Sequence, residues 1–184
     1  FTSHSVKIEG ADVKAVLTNR VEIGNYFKCE DEVSVESAVF WGDNTAVEAD
    51  KIILPDNATI DSFLVVKPTT SLDIGQNVKI RGDFGVNFPS GFVIDKQKLE
   101  INGCLFTNGS LTINASNVSI NASPSTKKAG ILLYSNVDKT FDLTIASSAS
   151  PIEITTGEKQ VAGIMVYFDP PDSLYTDWTG GKVS

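Results

Sequence analysis

Side chains that usually carry chemistry are scarce in this chain of 184 residues: one histidine, one methionine, two cysteines and two tryptophans. The single histidine, His4, lies in what reads as a frayed terminus. That removes the usual proton shuttle and with it Ser-His-Asp and His-based acid–base catalysis. Cys29 and Cys104 form no C-x-x-C and no Cys/His cluster, so neither a metal nor a cofactor is expected. A disulfide between them would suit an exported protein, and two buried thiols fit equally well. Basic residues number 15 against 23 acidic ones, for a net charge of −8. The longest basic run is Lys127-Lys128. Nucleic acid and anionic membrane surfaces need clustered Lys and Arg, so neither is an expected partner. No run approaches the roughly twenty apolar residues of a membrane span. The start at Phe1 shows no signal-peptide pattern and reads as a processed or truncated end, with any leader or anchor outside this sequence.

What the chain does have is an echo of about twenty residues. Apolar pairs split by one residue return as Ile52/Leu54, Leu72/Ile74, Phe92/Ile94, Leu111/Ile113, Ile131/Leu133 and Ile152/Ile154. A second column reads Ala58/Ile60, Val78/Ile80, Leu99/Ile101, Val118/Ile120 and Phe141/Leu143. A third reads Leu64/Val66, Phe84/Val86 and Cys104/Phe106. A two-residue period marks a short strand with one buried face. Strands that return at a fixed interval stack on copies of themselves. The expected fold is therefore all-β: a parallel β-helix, or solenoid, with three strands per turn. Intervals of 19, 20, 21 and once 23 are looser than the hexapeptide rule of left-handed solenoids and predict the right-handed form.

Three parts of a single domain are expected. Residues 1–45 form an N-terminal cap and the first strands. Val6/Ile8 and Val21/Ile23 are strand candidates, and Val33/Val35 and Val39/Trp41 begin the stack. Val13, Val16 and Leu17 share one helical face, which predicts a short amphipathic helix over Ala11–Arg20 covering the open end. Residues 46–122 are the regular rungs. Residues 123–184 hold an insertion at Ser123–Lys128, irregular rungs and a C-terminal loop. Asn57, Asn77 and Asn117 each precede a second-column strand, with Gln97 or Lys98 in the matching place. Asn tolerates the left-handed backbone of a sharp corner, and stacked amides can hydrogen-bond along the axis.

Parallel β-helices that handle polysaccharides need paired carboxylates, or carboxylates holding Ca²⁺ beside a basic residue. Asp61, Arg81 and Asp83 fall near one corner in successive rungs. Set against a sugar-cleaving site is a solvated corner with a surface ion pair. Arg81-Gly82-Asp83 also matches the tripeptide that integrins recognise. Five Asn-x-Ser/Thr sequons occur, at Asn57, Asn108, Asn114, Asn117 and Asn121; corner composition explains them as well as glycosylation does. Thr59, Lys79, Glu100 and Ser119 point outward in one column, which is no ice-binding threonine array. Ile53, Val93 and Leu132 are apolar on an outer face and mark a covered sheet or a contact surface.

The segments Ala129-Gly130-Ile131-Leu132-Leu133-Tyr134 and Ala162-Gly163-Ile164-Met165-Val166-Tyr167, with Asp169-Pro170-Pro171 and Thr179-Gly180-Gly181 after the second, resemble β-helical ectodomains of bacterial pilus-associated surface proteins. Those occur in tight-adherence pilus systems and among minor pilins. The stacked short rungs are similar to bactofilins. The resemblance implies an extracellular, cell-surface, non-catalytic role in assembly or attachment. Expected partners are a host or surface receptor, a glycan or a neighbouring subunit, with no membrane insertion by this segment. Two alternatives stand beside it: a carbohydrate-binding or polysaccharide-cleaving β-helix, and a filament subunit stacking end to end.

Overall fold

The structure is a computed structural model and describes residues 1–10, 12–42, 45–95, 98–115, 117–127, 129–135, 142–145, 152–157, 162–168 and 182–183. Among these it contains strands and no helix. In chain order they are β1 (Thr2–Ile8), β2 (Lys14–Leu17), β3 (Val21–Cys29), β4 (Glu32–Val35), β5 (Ser37–Phe40), β6 (Ala46–Leu54), β7 (Thr59–Ile60), β8 (Leu64–Ile74), β9 (Lys79–Ile80) and β10 (Phe84–Val86). There follow β11 (Phe92–Ile94), β12 (Leu99–Ile101), β13 (Leu105–Thr107), β14 (Leu111–Ile113), β15 (Val118–Asn121), β16 (Ala129–Ser135), β17 (Asp142–Ile145), β18 (Glu153–Thr155), β19 (Ala162–Phe168) and β20 (Lys182–Val183).

The chain winds as a parallel β-solenoid of about six turns, about twenty residues to a turn. The terminal strands continue the stack at either end. Pairing is parallel throughout, so each strand lies beside its counterpart one turn away. Three faces result. The first carries Ala15/Leu17, Val33/Val35, Ile52/Leu54, Leu72/Ile74, Phe92/Ile94 and Leu111/Ile113 inward. The second carries Val21/Ile23, Ala38/Phe40, Ala58/Ile60, Val78/Ile80, Leu99/Ile101 and Val118/Ile120. The third carries Phe27/Cys29, Val47/Ala49, Leu64/Val66, Phe84/Val86, Leu105/Thr107 and Ile131/Leu133. All of these are buried and meet along the axis as one continuous core. Burying one such aliphatic stabilises by roughly 1.5–3 kcal/mol, so each rung supplies its own share of the stability.

Several expected pairs shift. Residues 14–17 form a strand, not a capping helix. Ala15 and Leu17 point in while Val16 is 54% exposed, and β2 pairs β4 in register. β-Branched valines favour the extended backbone, and a parallel neighbour was there to receive it. In β5 the inward pair is Ala38/Phe40, not Val39/Trp41, and Trp41 is exposed. On the third face Leu105 pairs Phe84 and Thr107 aligns with Val86. The inward pair there is thus Leu105/Thr107, not Cys104/Phe106. Ile131/Leu133 belong to the third face, stacked on β13. Ile154 stacks on Ile120 of the second, and Leu143 on Leu111 of the first. Each of these last three displacements follows the Ser123–Lys127 insertion, which lengthens its turn. Phe141 lies outside the described residues, as do Asp169-Pro170-Pro171 and Thr179-Gly180-Gly181.

The corner before the second face turns through the left-handed region at Asn57 (φ 65°), Asn77 (57°), Lys98 (60°) and Asn117 (58°). Arg20 (59°) does the same before β3. Lys98 thus holds a matching corner place, and Gln97 lies outside the described residues. Asn77 donates to Asn57 Oδ1 at 3.2 Å. Two further amide steps lie elsewhere, Asn108 to Asn87 at 2.5 Å and Asn121 to Asn102 at 2.8 Å. Outside the core, charges alternate up the rungs. Lys14, Glu32, Lys51 and Asp73 pair successively at 3.3, 3.7 and 3.3 Å on the first face. Lys28 and Lys67 flank Glu48 on the third at 3.7 and 3.0 Å.

The stacking has one break. On the first face the end of β8 pairs β6, and β11 pairs β14, yet no ladder joins β8 to β11. The corner leading into β11 holds Phe88-Pro89-Ser90-Gly91, with Phe88 buried and Gly91 at φ 82°. Gly91 N donates back to Phe88 O at 2.9 Å, closing a tight turn. A shallow cleft follows the break, lined among others by Ile53, Asp73, Phe88 and Val93.

Candidate functional site

Asp61, Arg81 and Asp83 do gather at the corner between the second and third faces, and each does something different. Arg81 Nη1 pairs with Asp61 Oδ1 at 3.1 Å. The guanidinium is largely exposed, so this pair contributes at most about 1 kcal/mol. Asp83 Oδ1 accepts the backbone N–H of Cys104 at 2.8 Å. It thus ties one rung to the next, while Arg81 reaches back to the rung before. In the Arg81-Gly82-Asp83 tripeptide the two charged side chains are therefore both engaged along the axis.

Ile53, Val93 and Leu132 do not share a face. Ile53 sits beside Asp73 on the first face and Val93 beside Thr112, on opposite sides of the break. Leu132 lies on the outside of the third face, between Phe106 and Met165. The outer first face is thus no continuous apolar sheet. Val93 is 48% exposed and stands alone among polar neighbours.

The outer third face does become apolar toward its later rungs. Val65, Gly85, Phe106, Leu132 and Met165 stack there in sequence. A Cβ at Gly85 would lie 2.2 Å from the tip of the Phe106 ring, so this glycine leaves the ring the place it occupies. With no side chain on Gly85, the tip of the ring reaches over it. Tyr134 approaches from the next rung with ring centroids 6.3 Å apart. Lys127 Nζ stands 4.4 Å over the Phe106 centroid, a cation–π contact of about 0.5–1 kcal/mol at an exposed site.

The Ser123–Lys127 segment holds that lysine in place. Ser125 N donates to Ala122 O at 3.0 Å, and Lys127 N to Ser125 Oγ at 3.0 Å. Ala122 N donates to Thr155 O at 2.8 Å, docking the base of the loop on β18. Between this loop and the third face lies a cleft of about 430 Å³. Phe63, Val65 and Phe106 floor it; Arg81, Asp83 and Asn102 form one rim, and the loop from Pro124 to Lys127 forms the other. Residue composition gave no sign of this cleft, because Phe106 meets Lys127 only once the register is known. A second, wider trough of about 760 Å³ runs along the outer second face past Lys79, Lys98, Glu100 and Ser119. Its charges are mixed, with Lys79 and Glu100 paired at 3.2 Å.

The remaining chemistry-bearing residues are structural. Cys29 and Cys104 are both buried free thiols. They lie four rungs apart on the third face, roughly 19 Å at 4.8 Å per rung, beyond the reach of a disulfide. Burial, and then the Asp83 carboxylate, push the Cys104 thiol up to about 12. His4 is not frayed: it lies in β1 and meets the Trp41 ring at 6.0 Å. Among the described residues no three His, Cys, Asp or Glu side chains gather as a metal ion requires. No helix of the described residues is long and apolar enough to cross a membrane. Asn57, Asn114 and Asn117 are exposed and Asn108 and Asn121 half-buried, so the sequons sit at corners of varied access.

The fold defines the class as a parallel β-solenoid. Comparison with protein-family models, curated proteins and solved structures returns no match.

Proposed function

We propose that this chain is a non-catalytic structural or attachment module on the outside of a cell, of the pilus-associated kind its sequence resembles. The observation that carries the reading is the unbroken parallel stack on the second and third faces from β1 to β19. A chain paired above and below at each rung is stiff, and most of its sequence is committed to the core rather than to loops that wall a groove. Several of its ionisable groups are paired from one rung to the next. The cleft beside Phe106 supports recognition without chemistry, since its carboxylate Asp83 already serves a backbone N–H.

The test is incubation with a panel of immobilised glycans and polysaccharides, with and without Ca²⁺. Binding that releases no new reducing ends or unsaturated products is the expected result, together with survival of the stack under proteinase K. Product release would make the chain a polysaccharide-cleaving enzyme and overturn the reading. Concentration-dependent elongation in light scattering would overturn it in favour of a filament subunit.

A further inference from the structure

We propose that the cleft between the third face and the Pro124–Lys127 loop binds one acidic pyranose unit of a glycan. This deepens the attachment reading and rests on it. A pyranose has an apolar C–H face ringed by hydroxyls, and the cleft has the complementary form. Its floor is the Phe106 ring, whose tip overlies Gly85, with Phe63 and Val65 beside it. Its rim is polar on both sides. Arg81 has spent one contact on Asp61, and a guanidinium carries five N–H donors. Asp83 accepts one backbone N–H at Oδ1, and a carboxylate has about four acceptor sites. A volume of about 430 Å³ falls within the roughly 300–1,000 Å³ of small-ligand sites.

Lys127 selects the acid. The bond from Lys127 N to Ser125 Oγ fixes its backbone in the loop, and its ammonium stands over the Phe106 ring. Among the described residues no carboxylate pairs with it. The other rim charges each hold one partner, Asp61 for Arg81 and the Cys104 amide for Asp83, and keep further sites for sugar hydroxyls. A sugar carboxylate therefore finds, beside the apolar floor, an ammonium whose contact is with an aromatic ring and, among the described residues, with no carboxylate. A nucleotide, with several phosphate charges to place, is disfavoured by the rim carboxylate Asp83 and by the net charge of −8.

The experiment is a two-dimensional amide NMR titration of the full chain with methyl β-D-glucuronide and, separately, methyl β-D-glucoside. The glucuronide is expected to shift the amides of Asp83, Phe106 and Lys127 saturably. The glucoside should bind about fivefold more weakly or worse, for want of the charge-assisted contact. Lys127→Gln, a change on a half-buried loop side chain outside the core, should abolish that preference. Phe106→Leu keeps apolar volume without the ring and should weaken both sugars by about fivefold. Three results overturn the site: no saturable shift up to about 50 mM, equal affinity for the two sugars, or shifts confined elsewhere. Glycan binding that ignores Lys127→Gln sinks this site and leaves the attachment reading standing. Sugar turnover sinks the attachment reading itself.

Discussion

Asn77 donates its side-chain N–H to Asn57 Oδ1 at 3.2 Å, and both residues hold the left-handed corner that opens the second face. The next corner up places Lys98 in the same backbone conformation at φ 60°. A side chain other than Asn or Gly incurs roughly 1–2 kcal/mol there. Lys98→Asn should relieve part of that strain and add an amide between Asn77 and Asn117. The expected gain is about 1 kcal/mol, or roughly 2–4 °C in a thermal melt. Lys98→Val should shift the melt the other way.

Thr107 is an inward polar residue in an apolar column. Its Oγ1 accepts the buried Gly109 N–H at 3.0 Å, closing the corner after β13. Thr107→Val keeps the shape and leaves that donor unpaired, so urea denaturation should show a loss of about 1–3 kcal/mol. Thr107→Ser keeps the acceptor and should retain most of the stability despite its missing methyl group. An improvement with valine would show that the hydroxyl has no structural role.

Lys51 lies between Glu32 at 3.7 Å and Asp73 at 3.3 Å. Lys51→Glu stacks three carboxylates on one outer column. Each like-charge neighbour costs about 0.2–1 kcal/mol, which lowers the melting temperature by a few degrees in dilute buffer. Because the column is exposed, roughly 1 M NaCl, with a screening length of about 3 Å, should restore most of the loss. A decrease insensitive to salt would point to lost packing of the lysine stem instead.

Cys104 gives the fold a sensitivity to alkali. Burial first, and Asp83 second, raise its thiol from 9.0 to about 12. The folded state therefore holds its proton where the unfolded chain has released it. Stability is full below pH 9 and falls as pH climbs from 9 toward 12. Cys104→Ala should flatten that part of the profile relative to the wild type, measured as melting temperature between pH 8 and about 10.5. At neutral pH neither thiol should react with a disulfide reagent until denaturant is added, since both are buried in the coil.

The turns were legible because a parallel solenoid repeats its own inward pairs, and Ile52/Leu54 over Leu72/Ile74 or Val78/Ile80 over Leu99/Ile101 need only counting. Counting failed where a turn changed length. Ile131/Leu133 follow Leu111/Ile113 at the usual interval of about twenty residues, yet stack on Leu105/Thr107, because the Ser123–Lys127 loop spends residues outside the coil. Cys104 was mistaken for an inward partner of Phe106 because cysteine is apolar and threonine is not. Yet Leu64, Phe84 and Leu105 each follow the last second-face residue by the same step. Val13, Val16 and Leu17 have helical spacing, but Ala15 and Leu17 alternate as well, and β4 alongside decided between them. The ion pair of Arg81 with Asp61 was foreshadowed by their shared corner. The Phe106–Lys127 cleft was not, since its two sides come together only through the displaced register.

Where β8 and β11 run side by side without joining, the coil is sewn along two edges instead of three. A load that bends the molecule therefore concentrates at the level of Leu72 and Phe92. The portion before that level and the portion after it behave as two stiff blocks sharing a crease, and water reaches backbone there sooner than anywhere along the neighbouring edges.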